Sequence, residues 1–419
     1  MSKALRYAFT YCIPIMMVVY YLIMRGINLN SVIMLPIYFF LTIKAVEILL
    51  KNNHSTFIRM MNVFLGYSLI SIVLFTVNNV PVSCFFTTLR TFFFPFVFVY
   101  LGYNYSSDYE FNKWYLFGCA FCFVVGIYLY TVAPGYYTAY LSGVRDSGEL
   151  YNPEINQANV LEYARFSSFY PTSYAVSCFS IPALIISLAY SSKREPGVPK
   201  WACYMIAVIS FTAAILCQQR IAISFAFAVV IFFGFYLTKM NRGGQKFGVI
   251  IAYSLIALMI VNVMGSITHF EWYDRIYALV ERRFELMDFE DAMSHRTNQY
   301  NIERSSDLFF IFGSGMGSCG HAAIHAGYKG VADGEFVKTF YEYGVVGCFI
   351  LGSIILSSLY RGLRFFKLYN VEVLIMVFYL AAGIASNSLT FFIYSIMFWY
   401  SMGRIWNKKY YERLKRENV

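Results

Sequence analysis

The sequence predicts an all-α fold, a polytopic membrane protein with about twelve transmembrane helices and two long extracytoplasmic loops. Three observations predict it. Of 419 residues, 59% are hydrophobic and only 13% charged, and the mean hydropathy is +0.55, whereas a soluble domain carries about 25% charged residues. Apolar runs long enough to cross a hydrocarbon core of roughly 30 Å recur along the whole chain. Stretches such as WACYMIAVISFTAAILC are apolar on every side, while the strands of a membrane barrel alternate over about ten residues.

Taken in order, the runs place spans at residues 7–24, 31–50, 58–78, 84–103, 114–133, 168–190, 201–217, 221–238, 247–266, 336–359, 369–385 and 388–405. The first has a long apolar core and no small-residue cleavage site behind it, so it reads as a span and not as a signal peptide. Residues 1–419 form a single integral membrane domain, with no appended soluble domain and no internal repeat. Lys3 and Arg6, Lys51 and Arg59, Lys113, Lys193 with Arg194 and Lys200, Lys239 with Arg242 and Lys246, Arg361 with Arg364 and Lys367, and the tail KKYYERLKR all fall on one side. That side is the cytoplasm. The net charge of +10 then reflects topology, with membrane lipids as its partner and no nucleic acid. Both long loops, 134–167 and 267–335, lie outside.

Cysteine usage carries little chemistry. Six of the nine cysteines lie within apolar spans, and only Cys319 falls in a long extracytoplasmic loop, so no disulfide framework is expected. The spacing of Cys119 and Cys122 matches a redox motif, but inside a membrane helix they act as packing.

Titratable chemistry collects outside. Of five histidines, His269, His295, His321 and His325 lie in the second long loop. Arginines gather on the same face: Arg145 and Arg165 in the first loop, Arg220 in the turn CQQRIA, then Arg275, Arg282, Arg283, Arg296 and Arg304. The turn at Arg220 is too short to escape the bias against outer cations, which marks that residue for function. Arg90 lies inside a span, where a charge costs about 2.5–3.5 kcal/mol. Lys44 and Glu47, one turn apart near a cytoplasmic end, read as a structural pair. A guanidinium fork suits phosphate or diphosphate. The first loop's tyrosines, Tyr136, Tyr137, Tyr140, Tyr151, Tyr163 and Tyr170, fit either sugar stacking or an interfacial aromatic belt. EWYDRIYALVERRFELM places Trp272, Ile276, Leu279, Val280, Phe284 and Met287 on one stripe, an amphipathic helix on the outer surface. The acids of DFED, Asp288 to Asp291, sit in that helix as ordinary surface charge and not as a metal motif.

The string SHRTNQYN, the segment DLFFIFGSGMGS and the helix-opening DGEFVKTFYEYGVVG resemble the C-terminal signature of the O-antigen polymerase and O-antigen ligase superfamily. The matching positions are Arg296, Gly313 with Gly315, Asp333, and Glu342 with Gly344 and Gly347. YARFSSFYPTSYA, with Arg165, and CQQRIA, with Arg220, resemble the family's outer arginine segments, and the likeness spans roughly residues 85 to 350. It implies glycosyl transfer from undecaprenyl diphosphate on the periplasmic face of the bacterial inner membrane. Ligases generally carry a histidine where this chain has Asp333, which favours a polymerase of lipid-linked repeat units over the ligase alternative. A chain-length regulator is the candidate protein partner.

The chemistry itself asks for neutralised leaving-group charge, a positioned acceptor hydroxyl and a base. The catalytic set expected is Asp333, His325, Arg296 and Arg220, with substrate contacts from Arg165, Arg90, Arg145, His321, Glu335 and Tyr343. No metal or other cofactor is expected. Gly313 and Gly315 lack the lysine and strand of a nucleotide loop and read as a flexible segment closing over glycan. A flippase, the remaining alternative, should carry polar residues deep along several helices, whereas here they crowd one face.

Overall fold

The computed structural model describes residues 43, 55–74, 79–82, 84, 94–104, 108–132, 165–170, 172–192, 198–241, 307–319, 334–384, 386–390 and 394–417. Among these, the helices are α1 Thr56–Ile70, α2 Phe94–Asn104, α3 Asp108–Val132, α4 Ser173–Ser192, α5 Lys200–Leu216, α6 Arg220–Asn241, α7 Asp307–Phe312, α8 Glu335–Arg364, α9 Phe366–Gly383, α10 Ile396–Trp406 and α11 Lys408–Glu417. No strand occurs among the described residues. Four helices, α3, α4, α8 and α9, are long and apolar enough to cross a membrane. The expected spans at 7–24, 31–50 and 247–266, the amphipathic helix, and most of both long loops lie outside the described residues.

Two compact units divide the chain. In the unit built from α3 to α6, α4 is central, touched by α3, α5 and α6, and its apolar residues are buried along their whole run. Pro182 lies inside it, where a backbone donor is missing. Close by, the Tyr115 hydroxyl donates to the Phe179 carbonyl at 3.0 Å, and Asn112 Nδ2 donates to the Tyr190 hydroxyl at 2.8 Å. The serines of α4 turn inward. Ser177, Ser187 and Ser191 each donate to the carbonyl three residues before, at 2.6, 3.0 and 2.8 Å.

In the other unit, α8 is packed by α1, α7, α9 and α10, and α2 runs against α10. That pair is glycine-mediated. A Cβ on Gly102 would run into the Tyr400 carbonyl, and one on Gly403 into the Val99 carbonyl, so only glycine lets the two backbones approach this closely. Asn407 ends α10 and starts α11, donating to the Gly102 carbonyl at 3.2 Å while its Oδ1 accepts the Tyr410 N–H at 3.0 Å, the geometry of an N-cap. A buried ion pair, Arg404 with Glu372 at 3.2 Å, ties α10 to α9, and the Tyr410 hydroxyl donates to the same carboxylate oxygen at 2.8 Å.

Two expected spans change. Residues 388–405 are not one helix, because 388–390 form a turn and α10 begins only at Ile396. The run expected over 58–78 leaves the α-helix at Ile70 and tightens into a 3-10 turn, Ser71–Val73. In both places side-chain and loop partners, described below, claim backbone or hydroxyl groups that a continuous helix would leave alone.

Candidate functional site

The entrance of α8 carries an unusual load for an apolar helix. Glu335, Lys338 and Glu342 recur at i, i+3 and i+7, one face, and that face is turned inward. Glu335 and Glu342 are each 1% exposed. Glu335 Oε2 accepts the Leu389 N–H at 2.9 Å, the Thr390 N–H at 3.1 Å and the Thr390 hydroxyl at 3.1 Å. Lys338 Nζ donates to that hydroxyl oxygen at 2.8 Å. Glu342 receives the backbone N–H groups of Gly317 and Cys319, and the Lys338 charge acts on both carboxylates. The second oxygen of each carboxylate, Oε1, has no hydrogen-bond partner among the described residues. Two buried carboxyl groups thus share one cation.

One turn on, the helix breaks. Gly344 has φ 59° and ψ −166° inside α8, and the glycines facing it are left-handed as well: Gly313 at φ 78°, Gly315 at 100° and Gly317 at 92°. The break releases carbonyls that a regular ladder would use, and neighbouring groups take them up. The Ser314 N–H donates to the Tyr341 carbonyl at 2.9 Å and the Gly315 N–H to the Glu342 carbonyl at 3.0 Å. The Tyr67 hydroxyl, from α1, lies 2.7 Å from the Tyr343 carbonyl and 3.0 Å from the Phe312 carbonyl. The Met316 N–H donates to Ser71 Oγ at 3.0 Å. Gly313 and Gly344 lie back to back: a Cβ on the first would meet Glu342 backbone at 2.5 Å, and a Cβ on the second the Ile311 carbonyl at 2.5 Å. The G-x-G run and the E-x-G-x-x-G run are therefore two sides of one backbone seam, and the expectation of a flexible loop is corrected for residues 313–319.

In the other unit, the arginine segment and the arginine turn meet. The Phe166 N–H donates to the Leu216 carbonyl at 3.0 Å, which sets residue 165 against the turn Cys217–Gln219, and the Arg165 charge is felt at the buried Cys217 thiol. Gln218 is left-handed at φ 55°. The Gln219 side-chain amide donates to Ser173 Oγ at 3.0 Å, so the first turns of α4 and α6 are tied together. Arg220 opens α6 and is exposed, while Arg165 is half-buried. Two helix N-termini are joined here, one of them opened by an arginine and the other preceded by the Arg165 segment, and helix N-termini favour an anion.

A scan against protein-family models finds no match to this chain, and a search of curated proteins returns no relative.

Of the expected site residues, the structure brings Arg165 and Arg220 to one corner. It gives Glu335 and Tyr343 other work. Glu335 is a strut between α8 and the 389–390 turn, and Tyr343 is 1% exposed, its ring packed on Phe64 at 5.5 Å between centroids; both were expected as substrate contacts, and both sit within the packing of the unit. Cys319, expected in an outer loop, is also buried, beside Phe309 and Tyr341. Asp333, His325, His321, Arg296, Arg145 and Arg90 lie outside the described residues. Lys338 was missed, although a cation one turn into a long apolar run is a signal in itself. Tyr67, Ser71 and Thr390 were missed because their partners are 52 to 276 residues away, beyond the reach of any local pattern.

Proposed function

We propose that the chain polymerises undecaprenyl-diphosphate-linked oligosaccharide repeat units into O-antigen or capsular polysaccharide, by glycosyl transfer on the extracytoplasmic face of the inner membrane. The observation that carries this reading is the corner where Arg165 meets the Arg220 turn. A lipid diphosphate is the anion that the chemistry requires there: it leaves as the acceptor hydroxyl oxygen forms its bond to the anomeric carbon, and permanently charged guanidinium groups offset the negative charge that builds on it. The acceptor proton passes to a base, for which Asp333 and His325 compete. Asp333 lies two residues before the first residue of α8 along the sequence, and an unperturbed histidine, the residue type at 325, titrates at about 6.5, which suits a base at neutral pH.

The test is transfer of a purified lipid-linked repeat unit in vesicles. Arg165→Lys and Arg220→Lys keep the charge and lose the fork, so each should lower the rate by at least an order of magnitude at normal protein levels. If the two arginines grip one group, the double variant should be little worse than the poorer single one. Asp333→Asn and His325→Gln, run alongside, identify the base. Normal rates for both arginine variants would remove the diphosphate grip and with it this reading.

A further inference from the structure

The two faces of α11 share no chemistry. Tyr410 and Leu414, one turn apart, are buried against α9 and α10. Opposite them Lys408, Lys409, Lys415 and Arg416 are exposed, with the acid Glu412 between. Lys408 with Lys415 and Lys409 with Arg416 are each seven residues apart, so the cations form one continuous strip. The helix is not a loose tail. Asn407 caps it and Tyr410 is bonded to the buried Glu372–Arg404 pair.

A second basic element stands beside the strip. Phe365, in the turn from α8 to α9, packs edge-on against Tyr411 at 5.4 Å, and Tyr369 stacks near it at 6.4 Å. The same turn exposes Arg364 and Lys367. Leading into it, α8 presents an apolar stripe, Phe349, Leu356, Tyr360 and Leu363, at 74%, 67%, 68% and 57% exposure. The stripe suits acyl chains. It ends at Arg364, and the cations begin there, the order in which a bilayer presents hydrocarbon and then phosphate.

We propose that Arg364, Lys367 and the exposed cations of α11 form a rigid platform that binds anionic phospholipid headgroups at the membrane surface. Solvated charge alone would need neither a capped, ion-paired helix nor an apolar stripe that stops at its edge. Continuity between stripe and platform selects lipid over a soluble partner, because a ligand spanning both must be apolar on one side and anionic on the other. The proposal needs only that the chain sits in a bilayer, and it is independent of the glycosyl chemistry above.

The experiment uses the full chain in neutral detergent and follows its thermal midpoint as phosphatidylglycerol or phosphatidylcholine is added. Phosphatidylglycerol should raise the midpoint and phosphatidylcholine should not, and high salt should weaken the effect. Lys408→Gln/Lys409→Gln/Lys415→Gln/Arg416→Gln should abolish the shift while leaving the lipid-free midpoint in place, since all four side chains are exposed. Should that variant fold poorly, Arg364→Gln/Lys367→Gln tests the other half of the platform, with the lipid needed for half the shift rising by an order of magnitude or more, at about fivefold per cation. An equal response to the two lipids, or a full phosphatidylglycerol shift in both variants, overturns the platform.

Discussion

Gly344 and Gly313 are where single atoms decide the structure. Each sits at positive φ with another strand of backbone where a Cβ would go, so alanine at either position meets two penalties, the left-handed backbone and the clash. The first alone costs about 1–3 kcal/mol. Gly352, on the same helix, has nothing within 4 Å of its would-be Cβ. Gly344→Ala and Gly313→Ala should therefore lower the thermal midpoint and the yield of monodisperse protein in detergent, while Gly352→Ala should leave both unchanged or raise them, since alanine favours a helix interior by up to about 1 kcal/mol. Equal behaviour of all three would show that the seam does not constrain the backbone. Lys338 poses the opposite case at this scale: a buried side chain whose value lies in its charge, which acts on both Glu335 and Glu342.

At the scale of elements, the seam explains a protection that loop position would not suggest. Cys319 follows the glycine run directly, its N–H held by Glu342 and its side chain buried with Phe309 and Tyr341. An impermeant maleimide, read by peptide mapping, should modify Cys319 slowly in the folded protein and rapidly in denaturing detergent. Gly313→Ala should raise the rate without denaturant, and a rapid reaction in the unaltered protein would contradict the packing of α7 on α8. The long apolar runs were legible: those expected at 168–190, 336–359 and 369–385 appear as α4, α8 and α9 within a few residues, because an unbroken run of that length has little alternative to helix. The run at 388–405 was misleading. Its Leu389 and Thr390 amides go to Glu335, 54 and 55 residues earlier, and hydropathy sees only the apolar side chains. The glycine motif was legible as a motif and misread in its physics, since positive φ and close backbone approach leave the same residue type as flexibility does. Arg220 drew notice in the sequence because a cation in a short turn expected outside breaks a rule; its closeness to the Arg165 segment left no local signal, because it rests on one backbone bond between Phe166 and Leu216.

Across the whole molecule, the distribution of Lys and Arg fixes an expected orientation, with α11 in the cytoplasm. Lys409 is exposed on α11, so a Lys409→Cys variant tests it directly. The impermeant reagent should add no label over the parent in intact cells and one label once the membrane is opened. Labelling in intact cells would invert the chain and move the arginine corner to the cytoplasm, where the proposed lipid-linked donor is not presented. The same scale brings out a matter of synthesis. In the finished unit α4 is enclosed by α3, α5 and α6, yet as it leaves the ribosome only α3 of these has been made. Hydroxyl groups waiting for partners on later helices would make entry into lipid expensive. In α4, Ser177, Ser187 and Ser191 bond to carbonyls of their own helix, so those partners travel with the segment. Its insertion need not await α5 and α6, and a helix that ends up buried over nearly all its length is already equipped to pass through lipid alone.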